Sequence, residues 1–99
     1  MNFRKTLKSI GIIPVIQIND AEKAVPLALA LKKGGLPAAE VTFRTDAAEE
    51  AIRRIKIEVP DVCVCAGTVL NVKTAERAVK AGASAIISPG TNPEVVRWC

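Results

Sequence analysis

Four times in 99 residues, a short apolar run rich in β-branched side chains is followed by a stretch with helical spacing of its apolar positions. No other feature constrains the fold as strongly. Residues 12–18 (IIPVIQI) read as a first strand that stops at Asn19-Asp20, where Asp20 is a natural N-cap for a helix over 21–35 ended by Gly34-Gly35. Residues 38–45 (AAEVTFRT) read as a second strand, with Asp46 placed to cap a helix over 47–59 that Pro60 closes. A third unit pairs residues 62–69 (VCVCAGTV) with a helix over 72–83 capped by Asn71 and stopped by Gly82. The fourth strand, residues 85–88 (AIIS), breaks at Pro89-Gly90; Thr91 or Asn92 can then cap a last helix that starts at Pro93.

Strand starts at 12, 38, 62 and 85, each followed by a helix, describe βα units repeated along a parallel sheet with right-handed crossovers, so the class is α/β. A helical lead over 2–9 precedes the first strand. Two residues resist the pattern: Pro14 falls inside the first strand and Pro26 inside the first long helix. Four units are half of what closes a (β/α)₈ barrel, which needs about 250 residues, or a little over 200 when compact. An open, flavodoxin-like sheet is the competing architecture, but no switch-point phosphate loop stands out. The last helix has room for barely two turns before Cys99 and lacks a closing glycine, so the expectation is one domain over 1–99 that is the first half of a barrel, cut rather than finished.

A chain of this size with 49% apolar residues can bury a core, and none of its apolar runs approaches the roughly 20 residues that span a bilayer. Pro14 breaks the only leader-like stretch, and the expected location is the cytoplasm, free of membrane. The net charge of +4 comes from dispersed basic residues, and only Phe3, Phe43 and Trp98 are aromatic. That excludes a stacking platform for nucleic acid and leaves small anions as the better ligands. Three cysteines and no histidine make neither a disulfide framework nor a metal site; Cys63 and Cys65 are expected to be buried structural thiols.

The second strand carries the chemistry. Alternation puts Glu40, Thr42 and Arg44 on one face and Ala39, Val41 and Phe43 on the other, in a sheet whose two faces should both be covered. Residues four apart on a strand are separated by about 13 Å at roughly 3.3 Å per residue, so Glu40 and Arg44 are not simple neighbours. Two readings stay open: charges tolerated through internal pairing or on a wet edge, or two groups that converge on something held between them. In the second reading the glutamate suits acid-base work, and the arginine fork at a strand's C-terminal end suits a carboxylate.

The run Gly35-Leu36-Pro37-Ala38-Ala39-Glu40-Val41-Thr42-Phe43-Arg44 is similar to the first signature of the 2-keto-3-deoxy-6-phosphogluconate (KDPG) and 4-hydroxy-2-oxoglutarate (KHG) aldolase family, in which E-aliphatic-T-[LF]-R follows a glycine, an aliphatic residue and three variable positions. Ala66-Gly67-Thr68-Val69 resembles the family's G-A-G-T-V, with Cys65 where a glycine is common, and Ser88-Pro89-Gly90 resembles its S-P-G turn. Residues 24–35 also look like the family's first helix, including the proline. The resemblance covers essentially the whole chain. It implies a class I aldolase that releases pyruvate through an imine on lysine, with Glu40 as general acid/base, Arg44 on the pyruvyl carboxylate, and Thr68 and Pro89 lining the pocket. It implies no cofactor, no metal, and a homo-oligomer, commonly a trimer.

The family's imine lysine lies in a K-[LF]-F-P run on strand six, which this sequence does not contain. Its eight lysines, Lys5, Lys8, Lys23, Lys32, Lys33, Lys56, Lys73 and Lys80, all fall on expected helices or their ends. A Schiff-base lysine needs a dry pocket that lowers its pKa, so the 99-residue chain by itself is expected to be inactive. A half-barrel scaffold that oligomerises through its open edges, or a small module that binds a keto acid through Arg44, are the alternatives.

Overall fold

In the computed structural model, which describes residues 2–99, the chain is an α/β half-shell: a parallel sheet with helices packed on its outer face and the N-terminal helix against one end of its inner face. The elements are α1 (Phe3–Ile10), β1 (Val15–Ile16), a 3₁₀ turn (Ala21–Lys23) leading into α2 (Ala24–Lys33), β2 (Ala38–Thr42), α3 (Ala48–Glu58), β3 (Cys63–Gly67), α4 (Val72–Ala81) and α5 (Pro93–Trp98). The strands lie in the order β1-β2-β3, and their pairing is parallel, with Val15 opposite Glu40 and Glu40 opposite Cys65.

Several local expectations hold. Asp20 accepts from the Glu22 N–H at 3.0 Å, Asn71 from Thr74 at 2.8 Å, and Asn92, rather than Thr91, from Glu94 at 3.0 Å. Gly82 ends α4 with φ +113, a left-handed conformation that glycine takes without steric cost. Pro26 is the third residue of α2, where a backbone N–H has no acceptor within the helix, so its ring replaces a donor that would be idle.

Others need correction. The first strand is two residues long, not seven. Pro14 lies just before it and contributes only its carbonyl, which accepts from the Glu40 N–H at 2.9 Å. The second strand ends at Thr42, so Phe43 and Arg44 belong to the turn. Asp46 caps nothing: the N-cap position of α3 is held by Ala47, with no side-chain cap, and Glu49 and Glu50 in the first turn meet the positive end of the helix dipole instead. The fourth strand is reduced to one bridge, Ala66 to Ile86. Four backbone hydrogen bonds still run between residues 64–69 and residues 84–87, three of them from β3: Ser84 to Val64, Ala66 to Ala85, Ile87 to Ala66, and, just past the strand, Val69 to Ile87.

The two faces of the sheet are covered differently. Val41, Val64 and Ala66 point outward into the main core, where Ala48, Ala51, Ile52 and Ile55 of α3 and Ala75 and Ala78 of α4 pack on them. Alanine at these helix positions lets the backbones approach closely, and α3 sits between α2 and α4 over the sheet. The inner face carries Ala38, Cys63 and Cys65, closed at its N-terminal end by Phe3 and Ile10 of α1 together with Ile13, Ala85 and Ile87. This plug leaves the C-terminal strand ends as the open side. No described helix is long and apolar enough to cross a membrane.

Candidate active site

The site is built from the C-terminal ends of β2 and β3 and the turns that follow. Glu40 rises from the inner face of β2, half-buried, and its carboxylate lies across the bare Cα of Gly67 on β3. Thr42, two residues on and buried, turns the other way and donates its hydroxyl to the Ile16 carbonyl at 3.3 Å, tying β2 to β1. Thr45 is tied to the same side of the sheet, its hydroxyl donating to the Ile18 carbonyl.

Arg44 stands in the turn after β2 and is exposed. It lines a cavity of about 230 Å³ with Thr68, Asn71 and Thr74, while Phe43 and Arg77 form another wall. Arg77 is already engaged: it donates to Glu49 at 2.7 Å and lies 5.7 Å above the Phe43 ring, a cation–π distance. The hydrogen bond from Arg77, its charge and the adjoining Arg53 together hold the Glu49 carboxyl below its ordinary range. Among the described residues Arg44 makes no salt bridge, so its fork is available to a ligand.

Of the four residues singled out in the sequence, the fold brings Arg44 and Thr68 into one cavity. Glu40 lies beside Gly67, immediately before Thr68, but does not line that cavity. The expectation that Glu40 and Arg44 share one strand face is therefore corrected: the strand stops between them, and the turn frees Arg44 from the alternation. Pro89 lines a neighbouring cavity of about 390 Å³ with Ser88, Gly90 and Asn92, and Leu70 borders both. That second cavity is braced by Ser88 donating to the Val69 carbonyl at 2.6 Å and Asn92 to the Leu70 carbonyl at 3.1 Å.

Two features of the site escaped sequence reasoning. Thr68 has φ +56, and among the described residues no other non-glycine has a positive φ. That conformation costs an L-residue about 1–2 kcal/mol, and strain of this kind concentrates at functional positions. Gly67 is the other, since nothing in A-G-T says which side chain needs its empty space. The thiols follow expectation: Cys63 and Cys65 are buried beneath Glu40, and burial, then Cys63 and the Glu40 carboxylate, push Cys65 up to about 12. It is a neutral wall at any ordinary pH. No cluster of three metal-ligating side chains occurs among the described residues.

All eight lysines lie on helices or the 3₁₀ turn and are exposed; none projects from a strand end into the shell. The sequence model of KDPG and KHG aldolase matches residues 3–99. The chain belongs to the KDPG and KHG aldolase family. A 2-dehydro-3-deoxy-phosphogluconate aldolase of Treponema pallidum is 50% identical over 95 residues, 96% of this chain and 45% of that protein. The KHG/KDPG aldolase of Escherichia coli K12 is 45% identical over 100 residues, 97% of this chain and 47% of its own length. Among solved structures, a KDPG aldolase from Legionella pneumophila with pyruvate captured as a covalent carbinolamine superposes with a TM-score of 0.83 at 42% identity, covering 87% of this chain and 42% of that one. This aldolase-family chain thus spans about half the length of the relatives it matches, and its half-shell has the TIM-barrel class of fold.

Proposed function

We propose that this chain supplies the first half of a class I aldolase active site, one that cleaves 2-keto-3-deoxy-6-phosphogluconate or 4-hydroxy-2-oxoglutarate into pyruvate and an aldehyde. The observation that carries the proposal is the half-buried Glu40 carboxylate held over Gly67, the residue before Thr68, which shares a cavity with Arg44, a side chain without a salt bridge among the described residues. Glu40 is the proton shuttle for imine formation and carbon-carbon cleavage. It stands opposite the buried Cys65 on the inner face of the sheet, at the side left open by the N-terminal plug. Arg44 receives the keto-acid carboxylate, Thr68 borders it, and Pro89 marks the far wall. The imine lysine comes from the other half of the barrel, and residues 1–99 are the N-terminal half of that single domain.

The test joins residues 1–99 to the remaining half of the Treponema pallidum relative. That chimera is expected to cleave 2-keto-3-deoxy-6-phosphogluconate and to be trapped by borohydride as a pyruvate adduct on one lysine. The 99-residue chain alone is expected to trap none. A folded chimera without adduct, or an adduct on any of the eight lysines of this chain, would overturn the assignment.

A homo-oligomer is part of the same proposal. Among the described residues β1 pairs with β2 alone, and Ile12 and Val15 beside its free edge are 67% and 68% exposed, an apolar edge that the other half of the barrel would cover and that, in the 99-residue chain by itself, invites a second copy. Sedimentation velocity at micromolar concentration is expected to give species larger than the 10.5 kDa monomer. A single monomeric boundary across that range would count against association.

A further inference from the structure

We propose that Gly67 is the residue that positions the Glu40 carboxylate, by leaving empty the one seat on the inner face that the carboxylate can occupy. This deepens the reading of Glu40 as the proton shuttle and rests on it for its catalytic meaning.

A Cβ added at Gly67 would lie 2.1 Å from Glu40 Oε2, 2.7 Å from its Cδ and 2.9 Å from its Cγ. Those are the three nearest heavy atoms, so the space a side chain would take is filled by Glu40. The backbone does not require glycine here: Gly67 sits in the regular strand β3 and is not among the residues with positive φ, unlike Gly11, Gly35 and Gly82. Glycine in a strand interior weakens it and marks a close approach, and the group approaching is identified by these distances.

The neighbours explain why the seat is singular. Glu40 is the register partner of Cys65, not of Gly67, so its side chain leans one step toward the strand end to reach the glycine. The space directly opposite is taken by the fully buried Cys65, with Cys63 behind it. Thr42, the register partner of Gly67, would compete for the notch, but its hydroxyl is turned to the Ile16 carbonyl on the other side. Cys65 therefore blocks the carboxylate from below, Thr42 vacates the notch, and Gly67 provides it. Any side chain at 67 evicts the carboxylate, which is the flexible end of its residue and moves before the strand does.

The experiment is a double-mutant cycle on the 99-residue chain, read by carboxyl-detected NMR and by denaturant unfolding. With ¹³C-labelled glutamate, the Glu40 Cδ resonance is assigned by its disappearance in Glu40→Gln. In Gly67→Ala that resonance is expected to shift, while those of Glu49 and Glu50 on α3 stay in place. Gly67→Ala is expected to lower the denaturation midpoint with Glu40 present. In the Glu40→Ala background it should leave the midpoint unchanged or raise it, because alanine restricts the unfolded chain more than glycine does. Glu40→Asp, one methylene shorter, is expected to recover part of the loss in the Gly67→Ala chain.

An unmoved Glu40 resonance, or the same midpoint shift in both backgrounds, would overturn the proposal. If Gly67→Ala alone fails to fold, folding of the Glu40→Ala/Gly67→Ala chain supports the notch, and failure of both chains refutes it. The NMR arm reads position alone. A moved resonance combined with a fully active Glu40→Gln chimera would therefore sink the catalytic reading of Glu40 and leave its seat intact.

Discussion

In the chimeric barrel, Glu40→Gln is expected to lower kcat by about 10²–10⁴-fold, the range for loss of a positioned general acid/base. The KM for the keto acid should barely move. The amide has the shape of the carboxylic acid and can still occupy the notch over Gly67, so the substitution removes proton transfer with little disturbance of packing. Arg44→Ala is expected to do the opposite. It removes a charge-assisted hydrogen-bonding fork from an exposed turn, which should raise KM by about 10–100-fold and leave kcat within a few-fold, since hydrogen bonds to charged groups contribute about 1.5–3 kcal/mol. Steady-state kinetics on the two variants separates the roles. A KM effect from Glu40→Gln together with a kcat effect from Arg44→Ala would exchange them.

Ile52→Ala is expected to destabilise the folded chain by about 2–5 kcal/mol, the usual loss for truncating a fully buried isoleucine. Ile52 is inaccessible to solvent on α3, the helix that packs on α2, α4 and the outer face of the sheet, so the cavity opens where three helices meet the strands. A single domain has only about 5–15 kcal/mol in total, so the midpoint in urea should fall steeply. Ile57 lies on the same helix but is 71% exposed, and Ile57→Ala is expected to change stability by no more than about 0.5 kcal/mol. Equal losses at the two positions would mean that the outer core is not where this chain holds together.

The core contrast was readable in advance because helical spacing alone separates Ala48, Ala51, Ile52 and Ile55 from the charged face that carries Arg53, Arg54 and Lys56. The charged face supports the helix in its own way: Arg53 bridges Glu49 and Glu50, and Arg54 meets Glu50. Such exposed pairs contribute little each. Asp46 shows the limit of the same reasoning. An aspartate before a helix satisfies the sequence rule for an N-cap, but the turn after β2 has to carry Thr45 back to the Ile18 carbonyl, and that tertiary bond fixes the backbone ahead of the cap. Pro14 is the converse, an apparent objection to a strand that disappears once pairing begins at Val15.

For the site, residue types and their order along the chain were legible, and their mutual placement was not. Glu40 on a covered strand, Thr68 at a strand end and Arg44 near a C-terminal edge follow from alternation and from the resemblance to the aldolase motif. Their grouping did not follow: Arg44 meets Thr68 and the start of α4, while Glu40 stays on the sheet face beside Gly67. The difference turns on where β2 stops, and a strand's end depends on what the neighbouring strand still offers. The last ladder partner of β2 is Thr42 opposite Gly67, after which only the Phe43 N–H reaches across to the Gly67 carbonyl.

By itself, then, the sequence determined the identity and order of the βα units, the caps at Asp20 and Asn71, the stop at Gly82, and the family to which its motifs belong. Hydrophobic period and capping act over a few residues, and those residues are adjacent in the chain. Tertiary structure alone decided that Glu40 pairs with Cys65 yet rests on Gly67, that Thr42 turns to β1, and that Thr68 takes a left-handed backbone. Each of these depends on the register and close packing of strands some 25 residues apart, where shape and unsatisfied backbone groups select one arrangement and no local rule can.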